Sequence, residues 1–187
     1  MERCGWAKTK EEIEYHDHHW CRIKHNDDEL FEMLILEGKQ AGLSWRLILE
    51  RWPYIKEACD NFDYHKIALY SPQKIEELLT HPYMIKNRLK INALVTNAQV
   101  FLKVQEEFGS FDQYIWQFVD FKPIINHWNS LEDVPASTPL SDKVSRDLKK
   151  RGFKFVGSTI IYSYMQSIGM VNDHLVTCPC FKQCHEF

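Results

Sequence analysis

The stretch DDELFEMLILEGKQ, residues 27–40, decides the fold class. Leu30, Phe31, Leu34 and Ile35 recur at the three- and four-residue spacing that places side chains on one helix face, and Asn26, Asp27 and Asp28 stand ready as caps. Gly38 and Gly42 then bracket a loop, and Ser44 caps a second predicted helix, WRLILERW, which Pro53 should kink or end. Working outward, SPQKIEELL carries the Ser cap and first-turn Pro of a helix start. Residues 86–107 hold the longest amphipathic run, with Ile91, Leu94, Val95, Ala98, Phe101 and Leu102 in register and Gly109 as its stop. Shorter helices fit 111–119, 141–150 and 157–168, the last ended by Gly169. No segment alternates at period two, so the expected architecture is all-α, with helices joined by short loops.

A chain of 187 residues with 44% apolar and 26% charged side chains has the size and composition of one soluble domain with a real core. No run of eighteen apolar residues is present and the first residues are polar, which predicts neither a membrane span nor a secretory signal and places the protein in the cytoplasm. Six Cys in such a chain read as reduced thiols and metal ligands rather than as a disulfide framework. The net charge of −3 gives no global sign of a nucleic-acid partner. Locally, KVSRDLKKRGFK (143–154) sets Lys143, Arg146, Lys149, Lys150, Arg151 and Lys154 against Asp147 alone, and KNRLK adds Lys86, Arg88 and Lys90. Such patches either neutralise phosphates or form solvated helix faces.

Cys4 and His16 lie near one end of the chain, His174 and Cys178 near the other. Two thiols and two imidazoles suit zinc, and four protein ligands leave no open position for water, which argues for a structural ion that clips the two termini together. The competing reading makes Cys4 a small buried apolar residue and His16 a surface side chain. Cys180, Cys184 and His185, in CPCFKQCH, offer substitute ligands. A second constellation joins Glu37, at the end of the apolar helical stretch, with Trp45 and the early aromatics Trp6, Tyr15 and Trp20. A carboxylate among indole and phenol rings suits a flat cationic ligand, through stacking, cation–π attraction and charge pairing. The alternative is that the rings build core and Glu37 is solvated. Tyr15 adjoins His16, so a metal holding the imidazole would also fix the backbone bearing the phenol.

The blocks MERCGW, YHD, LFEMLILEGKQAGLSW and SDKVSRDLKKRGFKFVGSTIIYSYMQSIGMVNDHLVTC together resemble the bacterial 3-methyladenine DNA glycosylase I (Tag) family, from residue 1 to about 180. The resemblance implies a single domain over 1–187 with the helix-hairpin-helix DNA glycosylase fold, a helical hairpin at about 71–107, and zinc-clipped termini at 1–20 and 170–180. It places one structural zinc ion on Cys4, His16, His174 and Cys178, the base-recognition carboxylate on Glu37, and the stacking aromatics on Tyr15 and Trp45, with Trp6 and Trp20 lining the pocket. The implied activity is base-excision repair of alkylated double-stranded DNA: the lesion is flipped between Tyr15 and Trp45, and hydrolysis releases free 3-methyladenine. The enzyme would act as a monomer and without a lyase nucleophile. Leu43, in AGLS, is the expected wedge that fills the vacated stack. 7-Methylguanine should fit poorly in a pocket that contacts the methylated edge.

Two places depart from that pattern. THPYMIKNRLK (80–90) contains no Gly where a hairpin turn would contact the DNA backbone, and His18, His19 and Cys21 replace an acidic residue and Gly around Trp20. The first motivates a rival reading, a non-catalytic zinc-containing module that binds lesions without releasing them.

Overall fold

Asn26 starts the central helix. Its side-chain oxygen accepts from the backbone amides of Asp28 and Glu29, 2.8 and 3.3 Å away, and opens α2 (Asp27–Gln40). In the computed structural model, which describes residues 2–184, every residue of α2 from Leu30 to Lys39 is buried, so this helix runs through the core rather than along its edge. Around it lie α3 (Trp45–Ala58), α6 (Arg88–Phe108), α7 (Phe111–Trp116) and α9 (Ser158–Ser167).

Two expected helix boundaries move. Gly38 lies inside α2 rather than in a loop, because the missing side chain lets Phe155 approach; a Cβ there would stand 3.4 Å from the Phe155 Cβ and carbonyl oxygen. Pro53 does not end α3, which continues to Ala58, with Ile48 and Leu49 before it and Ile55 after it buried in the same core. The remaining helices follow their caps. Ser71 opens α5 (Pro72–Thr80), Gly109 at φ +86° closes α6, and Gly152 at φ +108° closes α8 (Pro139–Arg151).

The turn between α5 and α6 is anchored by buried Met84 and Ile85, and no residue from 81 to 87 has a positive φ. The connection between α5 and α6 therefore needs no Gly at these positions.

The all-α expectation needs a small correction. Ile124–Ile125 (β1) pairs in parallel with Val171–Asn172 (β2), a two-residue ladder too short to leave any periodicity in the sequence. It lays the segment after Ile125 beside the residues that follow Val171. The N-terminal segment closes on the same region, with the Cys21 amide donating to the Gln166 carbonyl and Lys24 to that of Ile168. A short α10 (Cys180–Gln183) follows, and His185 lies outside the described residues. Among the described residues no helix is long and apolar enough to cross a membrane.

The basic clusters are partly consumed by structure. Arg151 pairs with Glu107 and Asp147 and lies over the rings of Phe108 and Tyr114, and Lys143 sits over Phe118. Arg88 pairs with Glu76 and Lys90 is buried, so of the KNRLK cations Lys86 alone is both exposed and without an ion-pair partner among the described residues. Arg146, Lys149, Lys150 and Lys154 stay exposed.

Candidate functional site

A Thr9–Glu12 capping box creates the helix that carries two of the site residues. Thr9 Oγ1 accepts from the Glu12 amide and Glu12 Oε2 accepts from those of Thr9 and Lys8, which opens α1 (Lys10–His18). Consecutive positions on α1 then serve two neighbouring centres: Tyr15 lines a cleft and His16 joins a cluster of metal-ligating side chains.

The cleft has a volume of about 410 Å³ and brings together Trp6, Tyr15, Trp20, Glu37 and Trp45, contributed by the N-terminal segment, α2 and α3. Glu37 is buried, and its carboxyl has no hydrogen-bond or ion-pair partner among the described residues; burial alone pushes its pKa up to about 8. A carboxyl held in this way among aromatic rings is mostly neutral at pH 7 and becomes an anion when a cation enters. The Tyr15 hydroxyl is likewise buried without a partner, and burial, then the nearby Glu37, raises its pKa. The rings of Tyr15 and Trp45 meet edge to face, with centroids 5.1 Å apart and planes at 64°. They form a corner rather than the two parallel plates of a sandwich.

Leu43 lies partly buried at the turn between α2 and α3, where Gly42 takes φ +74°. Gln40, which lines the cleft, holds this turn: its Nε2 donates to the Leu43 carbonyl at 2.8 Å, and its carbonyl accepts from the Leu43 amide at 2.7 Å.

Cys4, His16, His174 and Cys178 are all buried, and their ligand atoms lie within 4.8 Å of one another. The Sγ of Cys4 is 3.6 Å from His174 Nδ1, and the Sγ of Cys178 is 3.6 Å from both His174 Nδ1 and His16 Nε2. Tetrahedral zinc, with Zn–S near 2.3 Å and Zn–N near 2.05 Å, sets sulfur and nitrogen about 3.6 Å apart. The donor chemistry agrees with this spacing. Burial pushes the Cys4 thiol up to about 12 and His174 down to about 3, so the imidazole is neutral and a thiolate here needs a cation beside it. His16 Nδ1–H donates to Asp17 Oδ1 at 2.7 Å, which aims Nε2 into the cluster, and Arg3 grips the same carboxylate through Nε and Nη2 at 2.8 and 2.7 Å.

Of the alternative ligands, Cys180 stays close, its Sγ grouping within 4.8 Å of ligand atoms of His16 and Asp17, whereas His18, His19 and Cys21 turn to other partners. His18 is exposed near Glu14, and His19 stacks on Tyr15. Cys21 Sγ donates to the Val171 carbonyl, and Cys180 Sγ lies 3.8 Å from Asp17. The cluster and the cleft share a wall. Trp20 packs on the ring of His174 with centroids 4.5 Å apart, and Trp6 contacts both Trp20 and His16.

One residue escaped the sequence reading. Asp173, fully buried beside His174, also lines the cleft; its Oδ1 accepts from Asn126 Nδ2 and Trp128 Nε1 at 2.7 and 2.6 Å, and its Oδ2 from Tyr162 Oη and Gln166 Nε2, both at 2.6 Å. Four donors fix this carboxylate as the hub that ties the segment after β1 to α9. The same segment continues to Leu131, Val134, Pro135 and Ala136, which form the remaining apolar wall. An acid between Asn172 and His174 was the only signal of it.

The family model described as methyladenine glycosylase matches residues 6–182. The chain is 41% identical over 182 residues to DNA-3-methyladenine glycosylase 1 of Escherichia coli strain K12, covering 97% of each protein. A crystal structure of 3-methyladenine DNA glycosylase I superposes with a TM-score of 0.93 at 42% identity, over 96% of this chain and 99% of that one. A tyrosine-to-phenylalanine variant of 3-methyladenine DNA glycosylase I, in complex with 3-methyladenine, superposes with a TM-score of 0.92 at 33% identity, over 96% and 97%. A match that runs through the aromatic cleft and through His16, His174 and Cys178 places the chain in the methyladenine glycosylase family.

Proposed function

We propose that the protein is a monofunctional DNA glycosylase that releases 3-methyladenine from alkylated duplex DNA. The observation that carries this reading is Glu37: an unpartnered carboxyl enclosed by Trp6, Tyr15, Trp20 and Trp45 in a cleft of about 410 Å³. A neutral purine offers such a carboxyl hydrogen bonds but no charge, whereas a base made cationic by N3 methylation supplies the charge that ionises it. The alkylated nucleotide turns out of the helix into the cleft, stacks in the Tyr15–Trp45 corner, and donates hydrogen bonds to Glu37. The bond between base and deoxyribose breaks with its electron pair going to the base, which leaves neutral. Water adds its oxygen to the sugar carbon and gives up a proton to solvent. The corner arrangement of the rings and the enclosed carboxylate favour the already cationic leaving group, so the cleft acts by recognition more than by protonation.

Docking on duplex fits the α5–α6 hairpin, which we assign as the helix-hairpin-helix element. At the start of the 21-residue α6, Asn87 takes the Lys90 amide, which leaves the Arg88 and Leu89 amides as orphan donors for a phosphate beside exposed Lys86. Leu43 is assigned as the wedge. Cys4, His16, His174 and Cys178 hold one structural zinc ion in this reading; the ion supplies no chemistry and joins the chain's two ends beneath the Trp6–Trp20 wall. Replacing Asp17 by Ala should weaken metal retention about tenfold or more, because His16 Nδ1–H loses its oriented acceptor; competition with a chromogenic chelator measures it, and unchanged retention refutes the role.

The test of function is chromatography of bases liberated from methylated duplex DNA. Free 3-methyladenine in excess over background supports the enzyme. Tight binding to methylated DNA without release would instead identify a lesion-binding module.

A further inference from the structure

As one of the KNRLK cations, Lys90 belongs by sequence to a patch that either neutralises phosphates or forms a solvated helix face, and the structure gives it neither place. Its side chain leaves the first turn of α6, is buried, and reaches the C-terminal end of α2, where Nζ donates to the carbonyl of Lys39 at 2.8 Å and to that of Ala41 at 2.5 Å. A helix C-terminus is the negative end of the helix dipole and carries unsatisfied carbonyls, so an ammonium there acts as a C-cap. This cap comes from a residue 49 positions away in sequence, in the second helix of the hairpin.

The carbonyls it holds belong to a short run with functional residues on both sides. Glu37 is two positions before Lys39, and Leu43 two after Ala41. The turn is also held by Gln40, through the two hydrogen bonds with Leu43. Gly42 takes φ +74° with nothing within 4 Å of where a Cβ would stand, while Leu43 beside it is half-buried against the core. These polar contacts fix the backbone of the turn that carries Leu43. At the other end of the link, Lys90 shares a helical turn with the Arg88 and Leu89 amides, and its own amide is bound by Asn87.

We propose that Lys90 is a positioning residue that couples the α5–α6 hairpin to the turn bearing Leu43, so that docking of duplex on the hairpin and entry of Leu43 into the base stack occur as one rigid step. The link passes through one side chain and two backbone carbonyls, and it touches neither base nor phosphate. This inference rests on the reading of Leu43 as the wedge.

A double-mutant cycle separates the two. Leu43→Ala, Lys90→Met and the double variant are compared in single-turnover release of 3-methyladenine from methylated duplex DNA, with affinity for the free base, followed by tryptophan fluorescence, as the second readout. Loss of two charge-assisted hydrogen bonds is expected to slow release by Lys90→Met about tenfold or more. Free base needs no wedge, so its affinity should stay within about twofold of wild type. The double variant should be no slower than the slower single variant, because both substitutions disable the same step. Losses that multiply in the double variant overturn the coupling, as does wild-type release by Lys90→Met. A parallel fall in free-base affinity also overturns it, because that marks a general disturbance of α2. Wild-type release by Leu43→Ala is the separate signature that the wedge assignment itself has failed.

Discussion

Glu37→Gln lowers the release of 3-methyladenine from methylated duplex by about a hundredfold or more, the range seen when a preorganised electrostatic partner is removed from an enclosed site. Gln keeps the size and an oxygen acceptor, so what is lost is the capacity to become an anion against the cationic base. The pH profile provides the sharper check. In the free protein burial holds Glu37 near 8, so the wild-type kcat/KM should rise as the pH is raised through about 8 and then level off, whereas the Gln variant should show no such rise. Stability moves in the opposite direction. The folded-state pKa lies above the ordinary 4.5, so the contribution of the neutral carboxyl is complete below 4.5 and is lost as the pH climbs through about 8. Denaturant unfolding at acidic and alkaline pH should therefore find the Gln variant less pH-dependent than wild type and more stable at the alkaline end. A flat wild-type kcat/KM profile, or near-normal release by the Gln variant, removes Glu37 from the assigned role.

That the aromatic cleft could be read from sequence has a physical reason. Leu30, Phe31, Leu34 and Ile35 fix one face of α2 towards the core; Glu37, near the end of so apolar a helix, is either expelled into solvent or enclosed in a pocket. The Cys–His cluster was legible for a similar reason, since a thiol and an imidazole at each end of a chain whose cysteines form no disulfide have few other uses. What stayed hidden depends on contacts distant in sequence. α1 has little apolar periodicity in KEEIEYHDH and exists through its capping box and the packing of Tyr15 and His16. The β1–β2 ladder is two residues long, and Asp173 acquires its four donors only when that ladder and α9 converge on it. Lys90 reads as one cation among three in KNRLK until α2 ends beside it. Gly38 misled for a related reason: it is local punctuation overruled by burial around α2.

Cys178→Ser removes the thiolate that stands 3.6 Å from both imidazole nitrogens, and it should abolish stoichiometric zinc as measured by atomic absorption. The helical core of Phe31, Phe101, Phe111 and Ile161 is built without the cluster, so the chain should stay folded while its Tm falls by about 10 °C, the shift that a few kcal/mol produce in a domain of this size. The damage should be local. Hydrogen exchange should accelerate in residues 2–20 and 170–184, which the ion would cross-link, and change little in α5 and α6. Release of 3-methyladenine should fall with it, although no ligand atom reaches the cleft, because Trp20 rests on His174 and Trp6 on His16, and Tyr15 shares a backbone with His16. Restoring zinc to chelator-treated wild type should recover both the exchange protection and the activity, and restoring it to Cys178→Ser should recover neither. Uniform loss of protection across α2 and α6 in the variant would instead mean that the cluster is part of the global folding unit. Full zinc content in the variant would mean that Cys178 is not a ligand, and the joined termini would then need another cause.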